Sequence, residues 1–380
     1  MTADAPSPEV RSEVRSGVRS EDRPKISPEV RLAAPADLPQ IATFLIPLGG
    51  ELFAERFPGA TAEDFYRWKY FGNPLGEAIV GIATAGNTVV SVVAATPKRI
   101  WISGNSVLGY ELGDFLTDEN CRKMGLFSRL IELVSSEVTA RGAALVYVRP
   151  NDVSFPILAG KLGFRELQKL DARRYVIPSH TLSRKTRIPA VLLRLSGMDA
   201  FLKRRCIPRF PGGGVTVAPV KRFGEELDQL WQRASAGYDF ALVRDSSYLN
   251  WRFSDCPTPY KVWLAHRSGQ AAGFLVTSAD RTAPSAAVVD LFTEANDTES
   301  AQALLATGME SLLKSGVQLI STWTLQDSPK SAAHASLQRA FPFRRKQHLH
   351  LVFKVLGAQE ITLPALSEKW HFTLGDSDGA

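Results

Sequence analysis

Hydrophobic positions change their spacing several times along the first half of the chain, and each change predicts an element. Thr61 is a favourable N-cap residue, and Glu63 and Asp64 in the following turn predict the start of a helix. Short apolar runs separated by turn residues then predict an antiparallel meander over residues 78–117. From Gly125 the apolar spacing becomes helical again, which predicts a helix that ends near Gly142.

A buried strand over residues 144–148, a short helix over 152–162 and a last strand through Tyr175 complete this half. A helix between two strands of one sheet implies a parallel strand pair, whereas the meander is antiparallel. The pattern therefore predicts an α+β fold with a mixed, mainly antiparallel sheet flanked by helices.

Several sequence segments of the first half recur in the second half in the same order. FYRWKYFGNP from Phe65 resembles YLNWRFSDCP from Tyr248, GDFLTDEN from Gly113 resembles VDLFTEAN from Val289, and GFRELQ from Gly163 resembles PFRRKQ from Pro342. Because the offsets are similar, the sequence predicts two tandem copies of one fold.

The two copies differ in the loop before their main helix. The first copy has the basic, glycine-containing segment 121–125 (CRKMG), and the second has the acidic segment 297–301 (DTESA). The first-turn amides of a helix lack internal partners and lie at the positive end of its dipole. With Arg122, Lys123 and Gly125, the first loop is therefore a candidate phosphate site, whereas the second is unsuited to an anion.

Composition and charge narrow the possible classes of protein. The 380 residues carry a net charge of +6, which suits a polyanionic ligand such as a nucleotide and does not call for nucleic acid. Three scattered cysteines argue against disulfides and for a reducing, cytoplasmic location, and no metal-ligand spacing is present. The sequence has no run of about 20 apolar residues, so no integral membrane segment is expected.

The segment DENCRKMGLFSRLIELV resembles motif A of the GNAT (Gcn5-related N-acetyltransferase) superfamily, and PNDVSFPILAGKLGF resembles the superfamily's next helix. The predicted order of elements is also similar. The resemblance implies two tandem GNAT-like domains, an acyl-CoA-binding domain 28–177 and a degenerate domain 215–356, with a tail 357–380 that folds onto the acceptor site. Composition and spacing add a disordered segment 1–27 and a basic helical connector 178–214.

The same resemblance implies how acetyl-CoA or another acyl-CoA would bind. Amides of the loop would hold the pyrophosphate, and the end of the preceding strand, splayed by a bulge, would pair with the pantetheine and polarise the thioester carbonyl. The implied coenzyme-binding residues are Phe115, Leu116, Thr117, Arg122, Lys123, Met124, Gly125, Leu126, Phe127, Asn151 and Ser154. Phe127 stands where the family usually has a small residue, a departure that affects how tightly the loop approaches the ligand.

Candidate catalytic groups are harder to find, because the family's usual tyrosine is replaced by Ala159. Glu111 and Asp114 lie on the strand that would face the acyl group, and either can act as the general base that deprotonates an amine. Their three-residue spacing predicts opposite faces of the strand. Tyr110 and Cys121 are lesser candidates, and in the tail Asp376 or Asp378 could hold a cationic amine.

The sequence therefore predicts an acyltransferase that transfers an acetyl or short acyl group from acyl-CoA to an amine. The arrangement resembles sugar N-acyltransferases of polysaccharide biosynthesis, which suggests an amino sugar on a nucleotide or polysaccharide precursor. Alternatives are acetylation of a small-molecule or protein amine, an aminoacyl-tRNA-dependent transferase, and a non-catalytic CoA-binding module. The basic connector can lie on a membrane surface or, as we favour, pack between domains.

Overall fold

The computed structural model describes residues 27–49, 59–177, 197–208, 213–280, 283–326, 331–357, 361, 363 and 369–377. Most of segment 1–27, where disorder was expected, and most of the connector lie outside these ranges.

The first half contains six strands and the helices that cover them. The strands of this half are β1 (Glu29–Leu32), β2 (Ile79–Ala85), β3 (Thr88–Ile102), β4 (Asn105–Thr117), β5 (Leu145–Val148) and β6 (Arg165–Val176). Its described helices are α1 (Leu38–Gly49), α2 (Ala62–Phe71), α3 (Leu126–Ala140) and α4 (Phe155–Lys161). As predicted, Thr61 caps α2, accepting a hydrogen bond from the Asp64 amide. β3 continues through Pro97, which lies opposite Tyr110.

The second half repeats this order of elements. Its strands are β7 (Val215–Val220), β8 (Phe240–Leu242), β9 (Tyr260–Arg267), β10 (Gln270–Ala279), β11 (Ser285–Thr293), β12 (Leu319–Leu325) and β13 (Phe343–Val355). The described helices from the connector onward are α5 (Met198–Cys206), α6 (Glu226–Ala234), α7 (Ser246–Leu249), α8 (Thr298–Lys314) and α9 (Ala332–Ala340).

The strands of both halves form one mixed sheet, whereas the sequence predicted a sheet for each half. The order is β1-β2-β3-β4-β5-β13-β6-β12-β11-β10-β9-β7, with β8 paired to β3. The two halves therefore exchange their last strands, since β13 lies between β5 and β6, and β6 pairs with β12. Parallel pairing occurs between β4 and β5 and between β11 and β12, as the crossover helices predicted.

The repeated tryptophans of the sequence meet each other where the halves join. The rings of Trp68 and Trp251 are stacked with their centroids 5.1 Å apart. Trp68 Nε1 donates to the Trp251 carbonyl at 2.9 Å, and Trp251 Nε1 donates to the Trp68 carbonyl at 3.2 Å. This reciprocal contact is the kind that a two-fold relation between the copies produces.

Residues 369–377 of the tail pack against both halves, and their expected place at the acceptor site stays a prediction. Trp370 stacks on Phe240 with ring centroids 4.2 Å apart. Gly375 lies against β11, where an added Cβ would come within 3.2 Å of the Asp290 Cβ atom. Arg244 donates to both carboxylate oxygens of Asp376 at 2.8 Å and pairs with Asp290 at 3.1 Å. Asp376 is therefore occupied by Arg244 rather than free for an acceptor amine, and Asp378 lies outside the described residues.

Two buried histidines hold the tail and predict a loss of stability in acid. Burial lowers the pKa of His334 to about 4 and that of His371 to about 3. His334 accepts from or donates to Ser331 Oγ through Nδ1 at 3.1 Å and contacts the Phe372 carbonyl through Nε2 at 3.1 Å. A neutral ring can accept at Nδ1 while donating from Nε2, whereas a protonated ring cannot accept.

These shifts give a pH dependence with a definite sign. Below about pH 6.5 the unfolded chain protonates both histidines, whereas the folded chain does not. The free energy of unfolding therefore decreases as the pH is lowered. We expect each histidine to contribute about 1.4 kcal/mol per pH unit between pH 6 and 4.5. Urea unfolding of wild type and His334→Gln over this range checks this, and equal slopes for the two proteins would refute it.

Candidate active site

A β-bulge in β4 shapes the strand end that precedes the basic loop. Leu116 pairs with Val92 and Gly113 with Ala94, so β4 has an extra residue at this point. Asp114 lies in the bulge with a φ of 54°. The parallel pairing of β4 with β5 covers Gly109–Glu111 and Leu145–Tyr147. Beyond these residues β4 continues through Phe115, Leu116 and Thr117 without a register pair to β5.

The loop itself provides the open helix end that the sequence predicted. Gly125 is the N-cap of α3 with a φ of 75°, and no side chain caps the helix. The loop residues Arg122, Lys123, Met124 and Gly125 are exposed, whereas Leu126 is buried in the core. Phe127 packs edge to face on Phe115, with ring centroids 5.1 Å apart. The first-turn amides of α3 and the exposed Lys123 therefore remain available to an anion, whereas Arg122 forms an exposed ion pair with Glu119 at 3.2 Å.

The corresponding helix end of the second half is already filled by its own carboxylates. Asp297 caps α8 by accepting from the Ser300 amide at 3.0 Å. Arg267 forms ion pairs with Asp297 at 2.8 Å and Glu299 at 3.0 Å. Because two acidic side chains occupy the positive helix end, this loop repels an anionic ligand. The contrast supports a single coenzyme site in the first half.

Asn151 and Ser154 form the turn that begins α4. Asn151 Oδ1 accepts from the amides of Val153 and Ser154 at 3.1 and 2.9 Å and from Ser154 Oγ at 3.0 Å. Both residues therefore have local structural partners. Their predicted contact with a pantetheine arm stays a prediction.

Glu111 and Asp114 lie on the same side of the sheet, contrary to the expectation from their spacing. Asp114 contacts α2, because Lys69 Nζ lies 2.8 Å from its Oδ2 and the Tyr70 hydroxyl donates to it at 2.9 Å. Glu111 pairs with Lys98 at 3.4 Å, and Lys98 lies 5.6 Å from the centre of the Trp251 ring that stacks on α2. The bulge between the two acids inserts a residue and so resets the strand's alternation.

Glu111 belongs to a buried polar cluster that sequence reasoning did not find. Its partner Lys98 is fully buried and donates to the Tyr248 hydroxyl at 3.2 Å. Arg149, just beyond β5, is close enough to Glu111 for that carboxylate to raise its pKa, although burial lowers the pKa more. Single cations beside apolar strands, at Lys98 and Arg149, were the available sequence signal for this cluster.

The other lesser candidates are packed into the structure. Cys121 is buried, and its burial raises the pKa of its thiol, which disfavours the nucleophilic thiolate. Tyr110 is buried in the core beneath α3. No group of three or more metal-ligating side chains occurs among the residues that the structure describes. The helices within the same ranges are too short or too polar to cross a membrane.

Comparisons with known proteins agree with this geometry. Residues 47–166 match the model of the acetyltransferase (GNAT) domain. A search of curated protein sequences gives no match. The domain match supports a GNAT domain within the first half of the chain.

Solved structures with a similar fold cover both halves of the chain. A probable N-acyltransferase from Enterococcus faecalis has a TM-score of 0.58 at 11% identity, covering 87% of this chain and 73% of that chain. A GCN5-related N-acetyltransferase from Anabaena variabilis gives the same values. Saccharomyces cerevisiae N-myristoyltransferase with bound myristoyl-CoA has a TM-score of 0.57 at 12% identity, covering 90% and 82%. The comparisons support the class of transferase, and within it that of acyltransferase.

Proposed function

We propose that the chain is an acyl-CoA-dependent N-acyltransferase whose two halves are tandem GNAT-like units, of which only the first binds the coenzyme. The observation that carries this proposal is the open N-terminus of α3, beside a bulged strand that parts from its parallel neighbour. The corresponding end of α8 is closed by Asp297. A pyrophosphate fits the first helix end, and an extended pantetheine fits the gap between the strands.

In this proposal the splayed end of β4 polarises the thioester carbonyl with a backbone amide, as an oxyanion hole does. Glu111 is the favoured general base because it stands at the last β4–β5 pair, where the cleft begins. Both carboxylates are paired, Glu111 with Lys98 and Asp114 with Lys69 and Tyr70, so the position at the end of the strand pairing is the reason to prefer Glu111. The amine, once deprotonated, attacks the carbonyl, and coenzyme A leaves as the thiol.

The acceptor is an amine, and its identity beyond that class rests on sequence resemblance. An amino sugar on a nucleotide or polysaccharide precursor stays the leading candidate from the sequence. A module that binds CoA without turnover is the alternative that the replacement of the usual tyrosine by Ala159 favours.

Assays of thiol release from acetyl-CoA against a panel of amines, including nucleotide amino sugars, amino acids and polyamines, test the proposal. Release that depends on one class of amine is the expected result. Binding of acetyl-CoA without release by any acceptor would favour the non-catalytic module.

Replacement of Glu111, the proposed general base, should change the rate of the reaction. With an accepted amine, Glu111→Gln should lower kcat about 100-fold and leave the affinity for acetyl-CoA within about two-fold, since a general base contributes about 10²–10⁴ to the rate. Glu137→Gln, on the exposed face of α3, is the matched control and should keep wild-type kcat. An unchanged kcat for Glu111→Gln in a folded protein would remove Glu111 from the mechanism.

A further inference from the structure

Arg149 lies where β5 leaves its neighbour and enters the proposed cleft. The last register pair of β4 and β5 joins Glu111 to Tyr147, and Arg149 is two residues further along the chain. Side chains two residues apart on an extended strand share a face. Tyr147 packs in one cluster with Leu145 and, from the second half, Trp323. Arg149 therefore faces the side of the sheet on which the two halves meet.

The contacts of Arg149 leave its buried Nε donor without a hydrogen-bond partner. Its guanidinium carbon lies 4.7 Å from the centre of the Trp323 ring. The Nε atom is buried and has no hydrogen-bond partner. Within the described part of the chain, no ion pair joins Arg149 to a carboxylate within 4 Å. A buried N–H donor without a partner is costly, because burial removes its hydration without replacing it.

The charges around Arg149 do not balance. Lys98 and Arg149 contribute two positive charges, and Glu111 contributes one negative charge that already pairs with Lys98 at 3.4 Å. Arg149 therefore adds one positive charge beside the Lys98–Glu111 pair, at the end of β5. A single anionic group would neutralise it, and a planar carboxylate matches the fork of a guanidinium. A doubly charged phosphate fits less well, because Glu111 would repel its second charge.

We propose that Arg149 binds a carboxylate carried by a substrate of the transferase, next to the reacting groups. This inference rests on the proposed function and deepens it. The carboxylate belongs either to the acceptor, which would then resemble an amino acid or an acidic amino sugar, or to the far end of a dicarboxylic acyl chain. Trp323 would hold the guanidinium plane in place and so make the second half part of the substrate site.

Matched substrate pairs test the assignment and separate the two sources. To test a carboxylate on the acceptor, an amino acid is compared with its amide, both with acetyl-CoA. To test a carboxylate on the acyl chain, succinyl-CoA is compared with butyryl-CoA, both with one neutral amine. Wild type should prefer the carboxylate in one pair by about 10- to 100-fold in kcat/KM. Arg149→Met, which keeps an apolar stem over Trp323, should abolish that preference by raising KM for the carboxylate member, and the ratio of kcat/KM within each pair is the readout.

Conservative and distant variants serve as controls. Arg149→Lys should recover part of the preference, because it keeps the charge but loses the fork. Arg222→Met removes an exposed arginine that pairs with Asp255 and should behave as wild type. Equal loss of activity by Arg149→Met on charged and uncharged substrates would assign Arg149 a structural role and overturn the proposal, as would the absence of any preference in wild type.

A binding measurement keeps this inference distinct from the proposed function. Calorimetry of the coenzyme A complex with an N-acetyl amino acid and with its amide, and of the free protein with succinyl-CoA and butyryl-CoA, needs no turnover. Selective binding of the carboxylate that Arg149→Met removes would support Arg149 even if no amine released thiol, in which case only the transferase proposal would fail. Binding of UDP that depends on Arg149, with no carboxylate selectivity, would contradict the assignment in favour of a phosphate.

Discussion

Gly125→Glu should weaken the binding of acetyl-CoA about 1,000-fold, because it places a carboxylate at the open N-terminus of α3. Like charges brought together in a binding site cost several kcal/mol, and each 1.4 kcal/mol is a factor of ten in affinity. The left-handed backbone at Gly125, with a φ of 75°, adds strain of about 1–2 kcal/mol for a residue with a side chain. Isothermal titration calorimetry of the folded variant measures the loss.

Gly125→Asn separates the charge from the backbone strain. Asparagine tolerates left-handed geometry better than other residues and brings no charge. A Cβ at position 125 would meet no atom within 4 Å, so neither variant should disturb the packing. We expect Asn to keep the affinity within about ten-fold. If Glu and Asn bound acetyl-CoA equally well, the loop would not be the pyrophosphate site.

Arg244→Met should lower the free energy of unfolding by about 3–5 kcal/mol. Arg244 is fully buried between the carboxylates of Asp290 and Asp376, and removal of the cation would leave two acids unpaired in the core. The pKa of Asp290 is held low largely because the charge of Arg244 overcomes the effect of burial. Because Asp376 lies in the tail, the same change should release residues 369–377 from the second half.

Equilibrium urea unfolding measures the loss of stability, and protease digestion measures the release of the tail. Arg222→Met removes an exposed ion pair with Asp255 and should cost at most about 1 kcal/mol. The Arg244 variant should lose its tail to protease under conditions in which wild type and the Arg222 variant stay intact. A stability loss below about 1 kcal/mol for Arg244→Met would show that the tail is not held by this cluster.

Local elements of this fold could be predicted from the sequence, because their signals are short in range. The Thr61 cap, the turn to helical spacing at Gly125 and the positive φ of Gly142 each depend on a few neighbouring residues. The repeat also predicted that two similar units follow each other, and the same order of elements occurs twice.

The pairing of the strands could not be predicted, because an alternating hydrophobic pattern does not specify which strand lies beside which. The placement of β13 between β5 and β6 is a long-range choice between strands of similar pattern. The predicted opposite orientation of Glu111 and Asp114 was wrong because a bulge breaks strict alternation.

The sequence predicted the coenzyme loop of the candidate site but not the polar cluster around Arg149. The loop at Arg122–Gly125 carries its function in the backbone and in adjacent charges, which a sequence displays directly. The proposed carboxylate site depends on Arg149 and Trp323 and lies near Lys98, and these residues come from the end of β5, from β12 and from β3. Nothing in their sequence spacing brings these residues together, because the contact follows from the exchange of strands between the halves.

Titration of the wild-type protein with acetyl-CoA tests the central claim most directly. We expect one molecule bound per chain with a dissociation constant in the range of about 1 µM to 1 mM that is typical of enzyme substrates. The affinity should fall as salt rises, because Arg122 and Lys123 are exposed cations. No binding at millimolar acetyl-CoA, or binding of two molecules per chain, would contradict a single coenzyme site at the open end of α3.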